Sequence, residues 1–458
     1  MSNFSGFITF LGLAAASCLV PLAGCGGGQT TQSSTGTSTT VPDLPSGTEI
    51  LYFHPATTSS GAAVMMSTLT PAAGALSTPQ LTDKDYGSDP LLQYVNPNWS
   101  DSPSSIISPP DSKYIYEFGR GTEIYVNGIA ELMPTGIWVY SISPTDGTLK
   151  VLPADDPFAP QTSFYNPTGI TMDGLGKYLY VSDYSLLSGS SVDTTGLLKE
   201  FTILPDTGGL REGPIVSTKP SVYFSIQAAD PAGKYLYGWF NDTLGDLAIS
   251  VFAIDSSTGT PTEISGSPFL VETASSNWPW GTGLIQFGGL GMALSPSGQY
   301  LYASVSSATV SPTTGELQQS SAIYAFAVGP TTGALTPVPG SPVSIGDNTY
   351  GHWLAVHPNG EFLYALIQLS TGTGPINSIS VYPIDATSGA ILSVPASSVV
   401  NTTCCYDLLI DPTGEMLLTE GEGGWSTYTV DSSTGSLTAI GSMNPSDGHG
   451  TAVIVQFP

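Results

Sequence analysis

The chain has 458 residues, of which only 10% are charged, well under the ~25% usual in soluble domains. Nine basic residues stand against 36 acidic ones, for a formal net charge of −27. Such a surface repels a phosphate backbone, which excludes nucleic acid as a partner and disfavours highly anionic phosphosugars. The plain role of the charge is solubility and mutual repulsion between copies.

In chain order, the first feature is an apolar run from Phe7 to Leu22, too short to span a bilayer comfortably. It ends in Leu22-Ala23-Gly24-Cys25, which resembles the lipobox of bacterial lipoproteins. That resemblance implies a signal peptide over 1–25 and lipidation at Cys25. The pattern departs in its charge, because no Lys or Arg precedes Cys25 and the first basic residue is Lys84. A plain secretory peptide is the alternative. Residues 26–46, rich in Gly, Ser and Thr, have little to bury and are expected to form a flexible tether. The expected location is extracytoplasmic, with the membrane engaged only through the lipid anchor; a secreted or periplasmic soluble form is the alternative.

From residue 47 to 458 one phrase recurs: a tight turn, a Tyr-Leu-Tyr strand, then a further strand closed by Asp-x-x-Thr-Gly. It reads Gly233-Lys234-Tyr235-Leu236-Tyr237 with Asp255-Ser256-Ser257-Thr258-Gly259, and returns as Gly298-Gln299-Tyr300-Leu301-Tyr302 and Gly360-Glu361-Phe362-Leu363-Tyr364. The last residue of each such strand marks a unit: Tyr52, Tyr116, Tyr180, Tyr237, Tyr302, Tyr364 and Leu418. Seven units follow, and self-similarity at so long a period predicts a repeat architecture. Alternation such as Tyr178 and Tyr180 against Leu179 and Val181 has the period of two of a strand. Turns such as Asp230-Pro231-Ala232-Gly233 and Asp411-Pro412-Thr413-Gly414 supply the hairpin.

Each unit thus reads as four antiparallel strands, a to d, and seven such sheets make an all-β, seven-bladed propeller. The first unit starts at its b strand, Glu49-Ile50-Leu51-Tyr52-Phe53, and an extra apolar strand, Ala452 to Phe457, ends the chain. The last strand is therefore expected to serve as strand a of blade 1 and close the ring. An open solenoid would need polar caps that the sequence does not offer. Once Cys18 and Cys25 are set aside, Cys404 and Cys405 are the remaining thiols. They could form a vicinal disulfide in an oxidising envelope or stay as two quiet thiols. No metal site and no cofactor is indicated, and the Asp of each Asp-x-x-Thr-Gly loop is expected to cap its own turn.

The blade phrases resemble the seven-bladed lactonase family, whose best-known member is 6-phosphogluconolactonase, over nearly the whole chain from about residue 48. The likeness is tightest at His357-Pro358-Asn359-Gly360-Glu361-Phe362-Leu363-Tyr364. The family stretch there lies between an Arg-His pair and an Asn-Glu pair that line the substrate cleft. This chain has His352-Trp353 and Ile367-Gln368 at those places. The resemblance therefore implies fold more strongly than catalysis.

In a propeller the starts of the a strands and the b-to-c loops share the mouth of the central channel, where ligands sit. Residues expected there include Thr168, Ser225, His352, Trp353 and Asp407, with Glu117, Arg120, Asp183, Asn241, Asp242, Gln368 and Glu420. Lactone hydrolysis needs a base for water and a donor for the carbonyl. His352 with Asp183 or Glu420 could supply the base and Arg120 the donor; all could equally be solvated rim residues. Trp239, Trp278, Trp280, Trp353 and Trp425 are candidates for stacking on a sugar or protein ligand, or for packing between blades. The favoured reading is a carbohydrate- or protein-binding module at the cell envelope. Lactone hydrolysis and a pure interaction scaffold are the alternatives.

Overall fold

The computed structural model describes residues 44–53, 64–70, 75–77, 80–81, 105–119, 123–126, 129–132, 136–152, 164, 167–184, 195–221, 223–273, 288–310, 317–371, 374–392, 395, 397–401, 407–421, 424–443 and 452–457. Every element among them is a strand. Seven antiparallel sheets of four main strands follow in order, and a two-stranded hairpin, Glu123–Val126 with Ile129–Leu132, is inserted in blade 2. In blade 4, for example, Tyr223–Ala229, Tyr235–Asn241, Leu247–Ile254 and Pro261–Glu263 run from strand a to strand d. Each a strand touches that of the next blade, from Ser105–Ile107 in blade 2 round to Asp407–Ile410 in blade 7. Ala452–Gln456 completes the circle, pairing residue for residue with Glu49–Phe53 from Glu49↔Gln456 to Phe53↔Ala452. The sequence expectation of a ring closed by the chain's end is borne out.

The repeated phrase is a device that joins blades. All seven marker residues are 0% exposed. Tyr52 donates its hydroxyl proton to the Gly147 carbonyl of blade 2, Tyr116 to Gly208 of blade 3, and Tyr180 to Gly259 of blade 4. Tyr302 of blade 5 does the same to Gly389 of blade 6. Burial holds these hydroxyls far above their ordinary pKa, so they remain donors. The receiving glycine closes the c-to-d turn of the next blade with a positive φ, +77° at Gly259. There the ring of the tyrosine two places before the marker lies flush on it: a Cβ on Gly259 would sit 2.3 Å from Tyr178. The phrase therefore needs Tyr in one blade and Gly in the next for a single contact.

Gly259→Ala should accordingly destabilise the protein more than Tyr180→Phe. The first combines overpacking of about 1–3 kcal/mol with a left-handed backbone strain of about 1 kcal/mol. The second removes one buried hydrogen bond, about 1 kcal/mol. Urea midpoints of the two variants check the order.

The turns follow the same economy. Asp255, Asp385 and Asp431 each accept hydrogen bonds from their own turn; Asp255 takes the Ser257 and Thr258 amides at 2.9 Å. Hydrogen bonds from Ser257 hold Asp255 down at about 2. This is the capping role expected from the sequence. His357 takes the place that Asp230 and Asp411 hold in other blades: its Nδ1 accepts from the Asn359 amide, and its Nε2 lies 3.0 Å from the Gly414 carbonyl oxygen.

Candidate functional site

The channel mouth is built from the ends of the b strands and the starts of the a strands, so strand register decides what meets there. In blade 3, Asp183, the last but one residue of Tyr178–Tyr184, shares the face of Leu179 and Val181 toward the junction with blade 2. Lys199, on the neighbouring Thr195–Ile203, reaches it at 3.0 Å. Their side chains are 1% and 9% exposed, and the ammonium also lies 4.6 Å from the centre of the Phe164 ring. Asp183 is thus held in a buried ion pair, a poor starting point for a base that must take a proton from water. In blade 2 the Glu117 carboxylate accepts the Tyr140 hydroxyl at 2.6 Å.

The mouth end of blade 7 differs. Its a strand, Asp407–Ile410, and its b strand, Met416–Gly421, are joined by the Asp411-to-Gly414 turn, and the register sets Asp407 directly opposite Glu420. Directly opposed side chains share one face of the sheet. Glu420 is in turn opposite Trp425 of the c strand. Both carboxylates are buried, at 7% and 1% exposure. Asp407 Oδ1 accepts the Leu408 amide at 2.8 Å and Oδ2 the Ala452 amide at 3.3 Å, across the junction to blade 1. Burial pushes Asp407 up to about 6, against which the two amides act. A carboxylate that titrates near neutrality has the pKa that suits a general base.

Blade 6 places His352 and Trp353 in a β-bulge. Gly351 pairs with Ile367 and Leu354 with Ala365, so two residues of the a strand face Leu366 alone. Bulges re-aim side chains and recur beside active sites. Gly351 is required by a close approach, because a Cβ there would lie 2.2 Å from Ser304 Oγ of blade 5. Trp353 is half-buried and packs against the cluster of Tyr364, Leu366 and Leu408. Gln368 donates to Asn377 Oδ1 at 3.3 Å across its own hairpin.

Other expected mouth residues are spent on the fold. Trp239 is 0% exposed among Tyr237, Ile249 and Leu301, and Trp425 is 1% exposed among Leu51, Phe53 and Leu418. Neither ring offers a face to a ligand, a correction to the exposed-ring expectation. The reason is parity: Trp239 lies two residues beyond Tyr237 and so shares its inter-blade face. Asp242 caps its own turn, accepting the Leu244 and Asp246 amides at 2.8 and 2.9 Å. Thr168 and Ser225 bond each other's strand across blades 3 and 4. Arg120, Trp278, Trp280, Cys25, Cys404 and Cys405 lie outside the described residues. Among the described residues no cluster of three or more His, Cys, Asp or Glu side chains is arranged to hold a metal.

A cleft of about 470 Å³ opens elsewhere, between the a-to-b turns of blades 3 and 4 and lined by Leu175, Lys177, Tyr178, Lys234, Tyr235 and Ser256. It lies on the face away from the mouth, and its Asp173 carboxylate is engaged by the Lys177 and Tyr178 amides.

The sequence singled out Glu420 and Asp407 separately but missed their pairing and missed Lys199. The pairing was available from the hairpin: a turn over residues 411–414 that sets Leu409 against Leu418 also sets Asp407 against Glu420.

No protein-family model matches the chain, and no curated protein matches its sequence. Solved structures do match. The periplasmic gluconolactonase of Pseudomonas aeruginosa superposes with a TM-score of 0.58 at 16% identity, over 90% of this chain and 99% of that one. A candidate 6-phosphogluconolactonase from Bacteroides fragilis gives 0.58 at 15% identity, over 89% and 98%. Another from Bacteroides uniformis gives 0.55 at 15%, over 89% and 99%. At such identities the likeness is one of architecture: this chain has the seven-bladed propeller fold of the gluconolactonase-type structures, as its repeated phrases led one to expect.

Proposed function

We propose that this chain is an exported propeller that opens neutral sugar lactones at its channel mouth, where blade 7 meets blade 1. The observation that carries the reading is Asp407, a buried carboxyl at about 6 set opposite Glu420. Above that pH, Asp407 takes a proton from water while the water oxygen attacks the lactone carbonyl carbon. The ring C–O bond then breaks, the ring oxygen recovers the proton, and a hydroxy acid leaves. Arg120, which follows Gly119 in sequence and lies outside the described residues, is the proposed donor to the carbonyl oxygen. A mouth carrying Asp407 and Glu420 repels phosphorylated lactones and favours departure of the anionic product. Export and a lipid anchor at Cys25 rest on the leader-like segment and on the likeness to a periplasmic gluconolactonase.

A second reading keeps the mouth for binding a neutral carbohydrate or a protein without turnover. It is favoured by the engagement of Asp183 with Lys199 and of Glu117 with Tyr140.

Proton release from a panel of aldonolactones, with and without a phosphate, separates the two. Hydrolysis predicts turnover of the unphosphorylated lactones, a rate that rises through about pH 6 to a plateau, and a loss of about 10²–10⁴ in Asp407→Asn. Saturable binding without turnover would establish the second reading. An equal loss in His352→Ala with Asp407→Asn unaffected would move the base to the bulge of blade 6.

A further inference from the structure

The seven junctions between blades are not equivalent. Six have a marker tyrosine on the side that reaches the next blade, although the hydroxyls of Tyr237 and Tyr364 find no hydrogen-bond partner among the described residues. The seventh, from blade 7 to blade 1, has Leu418, which has no hydroxyl to give. The two ends of the polypeptide are joined beside it, within blade 1, where Ala452–Gln456 pairs with Glu49–Phe53.

At its base end this junction holds two acids. Glu49, the first residue of the blade 1 b strand, is 2% exposed. Asp411, from the a-to-b turn of blade 7, is 0% exposed. Its Oδ1 accepts the Met416 amide at 2.7 Å and its Oδ2 is bonded by the Thr413 hydroxyl. The charged groups that bear on Glu49 are Asp411 and Glu415, both acidic and both from blade 7. Within blade 1 its cross-strand neighbours are Leu69 and Gln456, which are uncharged. On the far side of that turn, His357 of blade 6 is held by the Gly414 carbonyl and the Asn359 amide.

With both acids ionised, neither Glu49 oxygen has a hydrogen-bond partner among the described residues. A carboxylate has no proton to give, so two of them cannot satisfy each other. One proton supplies the missing donor and removes the repulsion at once.

We propose that the junction of blade 7 with blade 1 is a pH-gated seam, closed by a proton shared between Glu49 and Asp411 and loosened when both ionise. Burial first, then the charge of Asp411, pushes Glu49 up to about 8, in keeping with a proton retained at neutrality. The sign of the linkage follows. The unfolded chain releases this proton near 4.5 and the folded chain only near 8, so stability falls as pH rises between those values. Among the described residues no tyrosine clasp crosses this seam, which is otherwise held by the packing of Leu51 and Phe53 against Met416 and Leu418. At the mouth end the crossing bond is the long one from the Ala452 amide to Asp407.

Hydrogen exchange on the full chain between about pH 5 and about pH 9, expressed as protection factors to remove the intrinsic pH dependence, tests the seam. Peptides covering Glu49–Phe53, Met416–Gly421 and Ala452–Gln456 should lose protection by at least about tenfold toward the alkaline end. Tyr235–Asn241 of blade 4 should not. Glu49→Gln, which cannot ionise, should keep the seam protected throughout, and so should Asp411→Asn, whose side-chain oxygen can still accept the Met416 amide. Seam peptides that track blade 4 at every pH would overturn the proposal. So would an undiminished alkaline loss in both variants.

Discussion

A variant lacking residues 451–458 is expected to lose the closed ring, and with it most of its resistance to denaturation. The strand removed pairs with all five residues of Glu49–Phe53. Ile50, Leu51, Tyr52 and Phe53, now at most 1% exposed, would lie along a free sheet edge. Val455 and Phe457, each 3% exposed, would be lost outright. At about 1.5–3 kcal/mol per large apolar side chain, those two and the partly buried Val453 and Ile454 together rival the 5–15 kcal/mol that holds a typical domain folded. An unpaired apolar edge is also a template for association. Size-exclusion chromatography should therefore show aggregates or an expanded monomer, and a synthetic peptide of residues 451–458 added during refolding should restore the compact species. A truncated chain with the elution volume and urea midpoint of the parent would refute ring closure by this strand.

That closure was legible because a repeat leaves its arithmetic in the sequence. A first unit that begins at strand b and a last unit followed by a spare apolar strand have one joint solution. The marker positions were legible for a related reason: a residue buried in every blade is constrained in every blade, as the full burial of Tyr52, Tyr180 and Tyr364 confirms. The meaning of the markers was less accessible. Tyr52 meets Gly147, 95 residues away, and no local pattern says that the Tyr of one phrase and the Gly of the next form one contact. At the mouth, a list of polar residues near strand ends could not reveal which were already engaged. Lys199 lies mid-strand, outside any search of loops, yet it captures Asp183. Trp239 and Trp425 lie near strand ends, yet strand parity turns both rings into the inter-blade packing. Asp407 and Glu420 became a pair only through register.

Lys199→Met is expected to cost about 3–5 kcal/mol, although a methionine fills nearly the same space. The buried position is not what makes the lysine matter, since an ion pair withdrawn from water recovers little net energy. The penalty arises because Asp183, 1% exposed, would be left buried without the ammonium now 3.0 Å away. Asp183→Leu alone should be comparably harmful, for it would strand the ammonium against the Phe164 ring and the aromatic cluster of Phe118 and Phe201. The double variant Asp183→Leu with Lys199→Met should recover most of what either single change loses, because two apolar side chains suit that cluster. Urea midpoints of the four proteins close the cycle. Losses that simply add would mean that the two residues act separately. A double variant with the urea midpoint of the parent would establish that the pair serves the fold of blade 3 and is not needed as a base at the mouth.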